Sequence, residues 1–237
     1  MTTFHVVRVF VGPDGGGGNP LGVFLDGAAV PDGRRLAVAA ALGFSETVFV
    51  DAIDGDDAAT RVATVRIYTP GTELAFAGHP TVGTGWLLDE IGRPVNVLRC
   101  PAGDVATWSA DGRRWIRARA GWVHPIQLVQ LADADDVEAE RPGTLGEPGR
   151  YVWAWQDEVA GRVRSRYFAT DVGILEDEAT GAAAVVMGDR LGRDLVIRQG
   201  VGSELIVRPD PAAGTVDVGG IVEAVEVRVF DLGASLP

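Results

Sequence analysis

Few side chains in this sequence can carry proton, metal or nucleophile chemistry, and their types narrow the choices at once. All 21 basic residues are arginine, so Schiff-base chemistry on lysine, attachment of pyridoxal phosphate and a Walker-type phosphate loop are excluded. The single cysteine, Cys100, excludes an internal disulfide, a four-thiolate zinc site and proton transfer by paired thiols. The three histidines, His5, His79 and His124, lack a paired ligand spacing such as HExxH, so no metal is expected. Chemistry therefore falls to carboxylates and histidine. Two of these, His79 and Asp177, stand out by their setting.

His79 lies in VRIYTPGTELAFAGHPTVGTGWLL (65–88), where a strand-like segment feeds a Gly-His-Pro turn that opens a helix of small residues. Pro80 suits the first helical turn. The first N–H groups of a helix lack intrahelical partners and its dipole is positive there, so a substrate carboxylate or ionised side chain can bind at this end. Gly83 and Gly85 each cost about 1 kcal/mol against alanine inside a helix, which implies a close approach to its backbone. A second passage, RSRYFATDVGILEDEATGAAAVVM (164–187), repeats the plan. Arg66 stands thirteen positions before His79 and Arg164 thirteen before Asp177; Thr81 and Thr180 follow, then Gly83 and Gly181. Diverged copies of this length imply two similar domains whose helix ends converge on one cleft. Simple helix capping is the competing role for both His79 and Asp177.

The elements that position these residues read as an α+β chain. Phe4–Phe10 and Leu21–Leu25 read as strands joined by GPDGGGGNP; a strand follows those glycines, whereas a dinucleotide fingerprint requires a helix. Asp32 can cap a helix over RRLAVAAALG, stopped by Gly43, and Ser45-Glu46 then stands at the mouth of the strand TVFV. Hairpin-like segments turn at Asp111-Gly112 and around Gly161. Residues 1–119 form the first expected domain and 120–237 the second. ADADDVEAERPGTLGEPGR reads as an acidic surface segment that need not be ordered. Trp153, Trp155, Tyr167 and Phe168 stand at strand spacing and are expected to pack a core, with Cys100 buried and His124 structural.

Four segments in register, NPLGVFLDG, GFSETVFV, AGHPTVG and EDEATGAAA, resemble the PhzF phenazine-biosynthesis-like proteins, which share the diaminopimelate epimerase fold. The resemblance runs from about Val6 to Val207. It implies two pseudo-symmetric domains, each a barrel-like sheet around a central helix, with the active site between them. It further implies that Glu46 is the proton-shuttling acid/base, that His79 and Asp177 act with it, and that Asn19, Ser45, Gly78, Thr180, Gly181 and Ala182 line the substrate. No cofactor is implied, and a homodimer is. The sequence departs from the family where serine usually follows Gly181: Ala182 stands there and lacks the hydroxyl. Near Gln199-Gly200 a GRPS element and its arginine are missing, leaving Ser203, and Ala75 replaces a usual proline. Losing one substrate hydrogen bond costs about 1 kcal/mol or more, so the phenazine-pathway substrate does not follow.

The formal charge of −12 and pI near 4.6 argue against a nucleic-acid partner. No stretch of eighteen apolar residues and no basic leader is visible, so no membrane association and a cytoplasmic location are expected. The expected function is a cofactor-independent isomerase that moves a proton on a small carboxylate-bearing metabolite. The alternatives are a non-catalytic small-molecule binder that keeps the two-domain cleft, or a hydrolase or lyase using the same glutamate.

Overall fold

The computed structural model describes residues 1–57 and 60–233. In chain order the first half carries β1 (Thr2–Val11), β2 (Gly17–Phe24), α1 (Asp32–Leu42), β3 (Glu46–Asp54), β4 (Val62–Tyr68), β5 (Glu73–Leu74), α2 (Gly78–Glu90), β6 (Val97–Cys100), β7 (Gly103–Ala110) and β8 (Arg113–Ala118). The second carries β9 (Gln127–Gln130), α3 (Ala134–Ala139), β10 (Arg150–Asp157), β11 (Arg162–Phe168), α4 (Gly181–Leu191), β12 (Leu195–Gln199), β13 (Ser203–Asp210) and β14 (Thr215–Phe230).

Strand pairing repeats between the halves. β2 lies parallel to β3, β3 antiparallel to β4, β4 parallel to β6, and β6, β7 and β8 follow as antiparallel neighbours. The same sequence of senses runs from β9 through β10, β11, β12 and β13 to β14. The parallel pair that flanks each helix begins at Val62↔Val97 in one half and at Arg162↔Val196 in the other. Register therefore makes Arg66 the counterpart of Arg166, not of Arg164 as the thirteen-residue spacing suggested. The ion pairs agree: Arg66 pairs with Glu73, and Arg166 with Glu176 at 2.7 Å. The connection into the helix spans 69–77 in the first half and 169–180 in the second, so equal spacing in sequence misaligns the copies.

β14 crosses between the halves. Val216–Gly220 pairs with β8, Thr215–Gly219 with β13, and Ile221–Phe230 with β1. The pairings β1-β2-β3-β4-β6-β7-β8-β14 thereby close a ring, and α2 contacts β1, β2, β3, β7, β8 and β14 around it. In the second half α4 lies on β13 and β14, and among the described strands β9 pairs only with β10. One apolar core runs through both halves, from Val9, Leu21 and Val82 to Ala184, Met187 and Val207, and burial of such side chains supplies about 1.5–3 kcal/mol each. A second cluster under α1 stacks Phe24 on Phe49 with ring centroids 4.9 Å apart.

The glycines of α2 answer to this packing. A Cβ on Gly83 would stand 2.6 Å from Val9 Cγ2, and one on Gly85 2.7 Å from Thr107 Oγ1. The close approach implied by these residues is made by the strands that surround the helix. Three local expectations change. α1 begins at Asp32 after Pro31, so Asp32 is its first residue and makes no side-chain cap. The acidic segment contains α3, whose Asp133 side chain accepts the Asp136 N–H at 2.9 Å, an N-cap that orders it. The N-cap of α4 is Thr180, so Asp177 is not the cap, and His79 is the second residue of α2 without a capping bond. None of the described helices is long and apolar enough to cross a membrane.

Candidate active site

The two helix N-termini meet backbone to backbone. A Cβ built on Gly78 would fall 2.4 Å from the Gly181 carbonyl carbon, and one on Gly181 2.8 Å from the His79 amide nitrogen. Only glycine at both positions permits this approach. Both helix dipoles thus direct their positive ends at one locus, where N–H groups of the first turns lack intrahelical acceptors. His79 and Ala182 occupy equivalent second positions, so one helix end presents an imidazole and the other a methyl group.

Asn19 ties the two halves together. β2 places it beside the helix ends, where its Nδ2 donates to Asp177 Oδ1 at 2.7 Å and to the Ala179 carbonyl at 3.0 Å. Its Oδ1 accepts from Ser45 Oγ at 3.0 Å, and its Nδ2 lies 3.4 Å from His79 Nδ1. Glu46, the first residue of β3, brings Oε2 to 3.5 Å from His79 Nδ1. Asp177 is held from both sides, since Thr180 Oγ1 donates to its Oδ2 at 2.6 Å. Its backbone N–H donates to the Tyr167 carbonyl at 2.8 Å, which fixes the loop against β11. That bridge repeats the pairing of Ile67 with Leu74, so Asp177 occupies the place of an apolar residue in the other half.

Burial governs the charges. Desolvation, reinforced by the Asp177 charge, pushes Glu46 up to about 8, and its Oε2 has no hydrogen-bond partner. Desolvation also raises Asp177, to about 6, while the hydrogen bonds from Thr180 and Asn19 oppose the rise. His79, 2% exposed, is depressed to about 3 by burial and is therefore a neutral imidazole near pH 7. Its contact with Glu46 is accordingly not a salt bridge. His79 Nε2 is buried without a partner.

A cavity of about 60 Å³ is lined by Glu46, Tyr167, Asp177, Thr180 and Ala182, with Phe76, His124 and Ile174 among its other walls. That volume holds about two waters. A cleft of about 330 Å³ approaches Asn19, Ser45 and Asp177 from outside. The larger groove, about 750 Å³, lies over the outer side of β10–β12, where Arg164 and Arg166 are engaged by Glu138 and Glu176. Neither Glu46 nor the paired helix ends line it. Among the described residues no group of three or more His, Cys, Asp or Glu side chains could hold a metal ion.

Every residue singled out from the sequence for the site converges here: Asn19, Ser45, Glu46, Gly78, His79, Asp177, Thr180, Gly181 and Ala182. Three others were not. Tyr167, assigned to core packing, lines the cavity, as does His124, whose Nε2 lies 3.6 Å from Asp171. Gln199 is fully buried and bonds both Asp177 and Thr180. A glutamine closing an apolar strand was the only sequence signal for it.

The fold is that of the diaminopimelate epimerase-like class. Residues 8–122, just under half of the chain, match the PhzC-PhzF family, described as phenazine biosynthesis-like protein. An uncharacterised isomerase of Pasteurella multocida is 40% identical over 87 residues, which are 37% of this chain and 29% of that protein. The trans-2,3-dihydro-3-hydroxyanthranilate isomerase of Pseudomonas fluorescens is 29% identical over 226 residues, covering 80% of each chain. The match thus spans less than a third of the first relative and four-fifths of the second. A Pseudomonas aeruginosa protein described as a predicted epimerase superposes with a TM-score of 0.74 at 23% identity, over 97% of this chain and 99% of that one, and supports the fold. Both of these curated relatives are named isomerases.

Proposed function

We propose that the chain is a cofactor-independent isomerase that moves a proton between positions of a small carboxylate-bearing metabolite, with Glu46 as acid and base. The observation that carries this reading is a carboxyl raised to about 8 by burial, its Oε2 without a hydrogen-bond partner, set beside a neutral imidazole at two abutting helix N-termini. A group of such pKa takes up and returns a proton near neutrality, where an ordinary glutamate stays ionised. The minor ionised fraction of Glu46 would take a proton from substrate carbon; the electron pair would delocalise into the adjacent unsaturated or carboxylate system; the proton would return from the now protonated Glu46 to another carbon. The helix-end N–H groups would hold the negative charge, and His79 and Asp177 would orient the substrate.

The 60 Å³ cavity is smaller than a ring-bearing acid, so substrate entry requires the Val123–Ile126 and Val172–Ile174 walls to part. Ala182 presents no hydroxyl to the substrate, in favour of an acid other than the dihydrohydroxyanthranilate turned over by the Pseudomonas relatives. Residues 1–119 and 120–237 serve in this proposal as the two domains, with β14 threaded between them. The test is solvent deuterium incorporation into a panel of unsaturated and α-substituted carboxylates, trans-2,3-dihydro-3-hydroxyanthranilate included. Enzyme-dependent label at carbon, abolished in Glu46→Gln, is the expected result; label unaffected by that substitution would reject Glu46 as the shuttle.

We also propose that two copies pair through β14. Val225, Val227 and Val229 are 50%, 59% and 64% exposed, and β1 covers only one edge of this stretch among the described strands. A two-fold axis at Val227 would set Glu226 of each copy opposite Arg228 of the other and Val225 opposite Val229. Such a strand is complementary to itself in charge and in shape.

A further inference from the structure

Gln199 is the one fully buried amide behind the site, and its orientation is set by backbone groups whose polarity cannot change. The Thr180 N–H can only donate, and it meets Gln199 Oε1 at 3.1 Å. The Asp177 carbonyl can only accept, and it meets Gln199 Nε2 at 2.8 Å. The second hydrogen on Nε2 points at Thr180 Oγ1, also at 2.8 Å. That hydroxyl, having accepted, has its own hydrogen left for Asp177 Oδ2. On the other side the Ala179 carbonyl orients the Asn19 amide in the same way, so Nδ2 must donate to Asp177 Oδ1. Both oxygens of Asp177 therefore receive donors, an arrangement that stabilises its ionised form. Glu46 receives no such donor at Oε2.

We propose that Gln199 is a positioning residue that decides where the site keeps its proton: by forcing the Thr180 hydroxyl to donate to Asp177, it holds Asp177 ionised and leaves the proton on Glu46. This assignment builds on the isomerase reading, in which Glu46 must be the group that exchanges a proton with substrate. The other titratable neighbours do not supply the same bias. His79 from α2 is neutral, Tyr167 from β11 and Tyr151 from β10 are raised by burial, Glu178 brings like charge to Asp177, and Asp171 brings negative charge to Tyr167. Tyr151 OH lies 3.2 Å from Gln199 Oε1 and 2.8 Å from Ser165 Oγ, behind the amide, and adds support without setting direction.

The test reads the carboxyls directly and needs no substrate. In the full chain with 13C-labelled Asp and Glu carboxyl carbons, NMR titration would follow Asp177 and Glu46, assigned with Asp177→Asn and Glu46→Gln. Gln199→Glu and Thr180→Val each remove the directed hydroxyl donation. In both, the Asp177 pKa is expected to rise by about one unit, a tenfold change in its acid constant; in Thr180→Val, which adds no carboxyl, the Glu46 pKa is expected to fall as the neighbouring negative charge is lost. Tyr151→Phe should lower the melting temperature and leave both titrations in place. Unchanged carboxyl titrations in Thr180→Val, which keeps the shape of the site if Gln199→Glu fails to fold, would overturn the assignment. So would a shift in Tyr151→Phe as large as in Gln199→Glu. Failure of the deuterium experiment with these shifts present would reject the isomerase reading alone.

Discussion

Gly78 and Gly181 touch: a Cβ on the first would lie 2.4 Å from the carbonyl carbon of the second. This contact joins the halves at the start of both helices and places His79, Asp177 and Glu46 around one point. A methyl group at either position cannot be housed without parting the helices, so the glycines hold the site together more than they loosen it.

Gly78→Ala or Gly181→Ala should accordingly lower unfolding stability by about 2–3 kcal/mol, the upper part of the range for overpacking a filled interior. Gly33→Ala is the control, since a Cβ there meets nothing within 4 Å and glycine in α1 costs helix propensity; it should raise stability by about 0.5–1 kcal/mol. Denaturant unfolding of the three variants checks both signs.

Replacing Glu46 by glutamine should preserve the fold, because the buried carboxyl is already neutral near pH 7 and the amide matches its shape. Proton exchange with substrate carbon should fall by about 3 kcal/mol of transition-state stabilisation or more, the scale of a lost general acid/base. Deuterium incorporation at saturating substrate, alongside circular dichroism, measures the two effects separately.

Stability should fall between about pH 6.5 and 8. Glu46 titrates from about 8 in the folded chain and from 4.5 as its ordinary value, so the folded state binds more protons in that interval and loses stability as pH rises. The slope from one such group reaches about 1.4 kcal/mol per pH unit at most. His79 acts with the opposite sign: its folded value near 3 lies below 6.5, so its stabilisation is full above pH 6.5 and is lost as pH falls toward 3. Asp177, raised from 3.8 to about 6, acts in the same direction as Glu46 but below that interval, where the opposite contribution of His79 offsets it. Denaturation midpoints against pH should decline above 6.5 in the wild type and flatten in Glu46→Gln; an equal decline in both would remove Glu46 as the cause.

A β14 pairing predicts a particle of twice the chain mass by light scattering. Arg228→Glu should weaken it by setting Glu226 against glutamate in both symmetry-related contacts, at about 0.2–1 kcal/mol for each cross-strand pair. Combining Arg228→Glu with Glu226→Arg should restore the dimer. A monomer in the wild type, or a double variant no better than the single one, would reject the pairing.

Local sequence determined a great deal of this chain. Proline after a glycine-histidine pair opens α2, glycine in the left-handed region closes α1 and α4, and Asp111-Gly112 turns the β7–β8 hairpin, because each depends on the conformational limits of the residue itself. The motif residues of the site were legible for the same reason: they mark helix starts and a strand mouth. The register between the copies was not. A three-residue difference in the connection to the helix moved Arg164 out of alignment with Arg66, and only strand pairing, a long-range interaction, reveals the shift. Nor could sequence show that the α2 glycines answer to the surrounding strands, or that β14 would leave the second half to pair with β1. The charges of the site belong to tertiary structure as well. A glutamate, a histidine and an aspartate carry ordinary pKa values in water; burial against two helix ends, and an amide oriented by backbone on strand β12, push Glu46 and Asp177 up, His79 down, and leave the proton on Glu46.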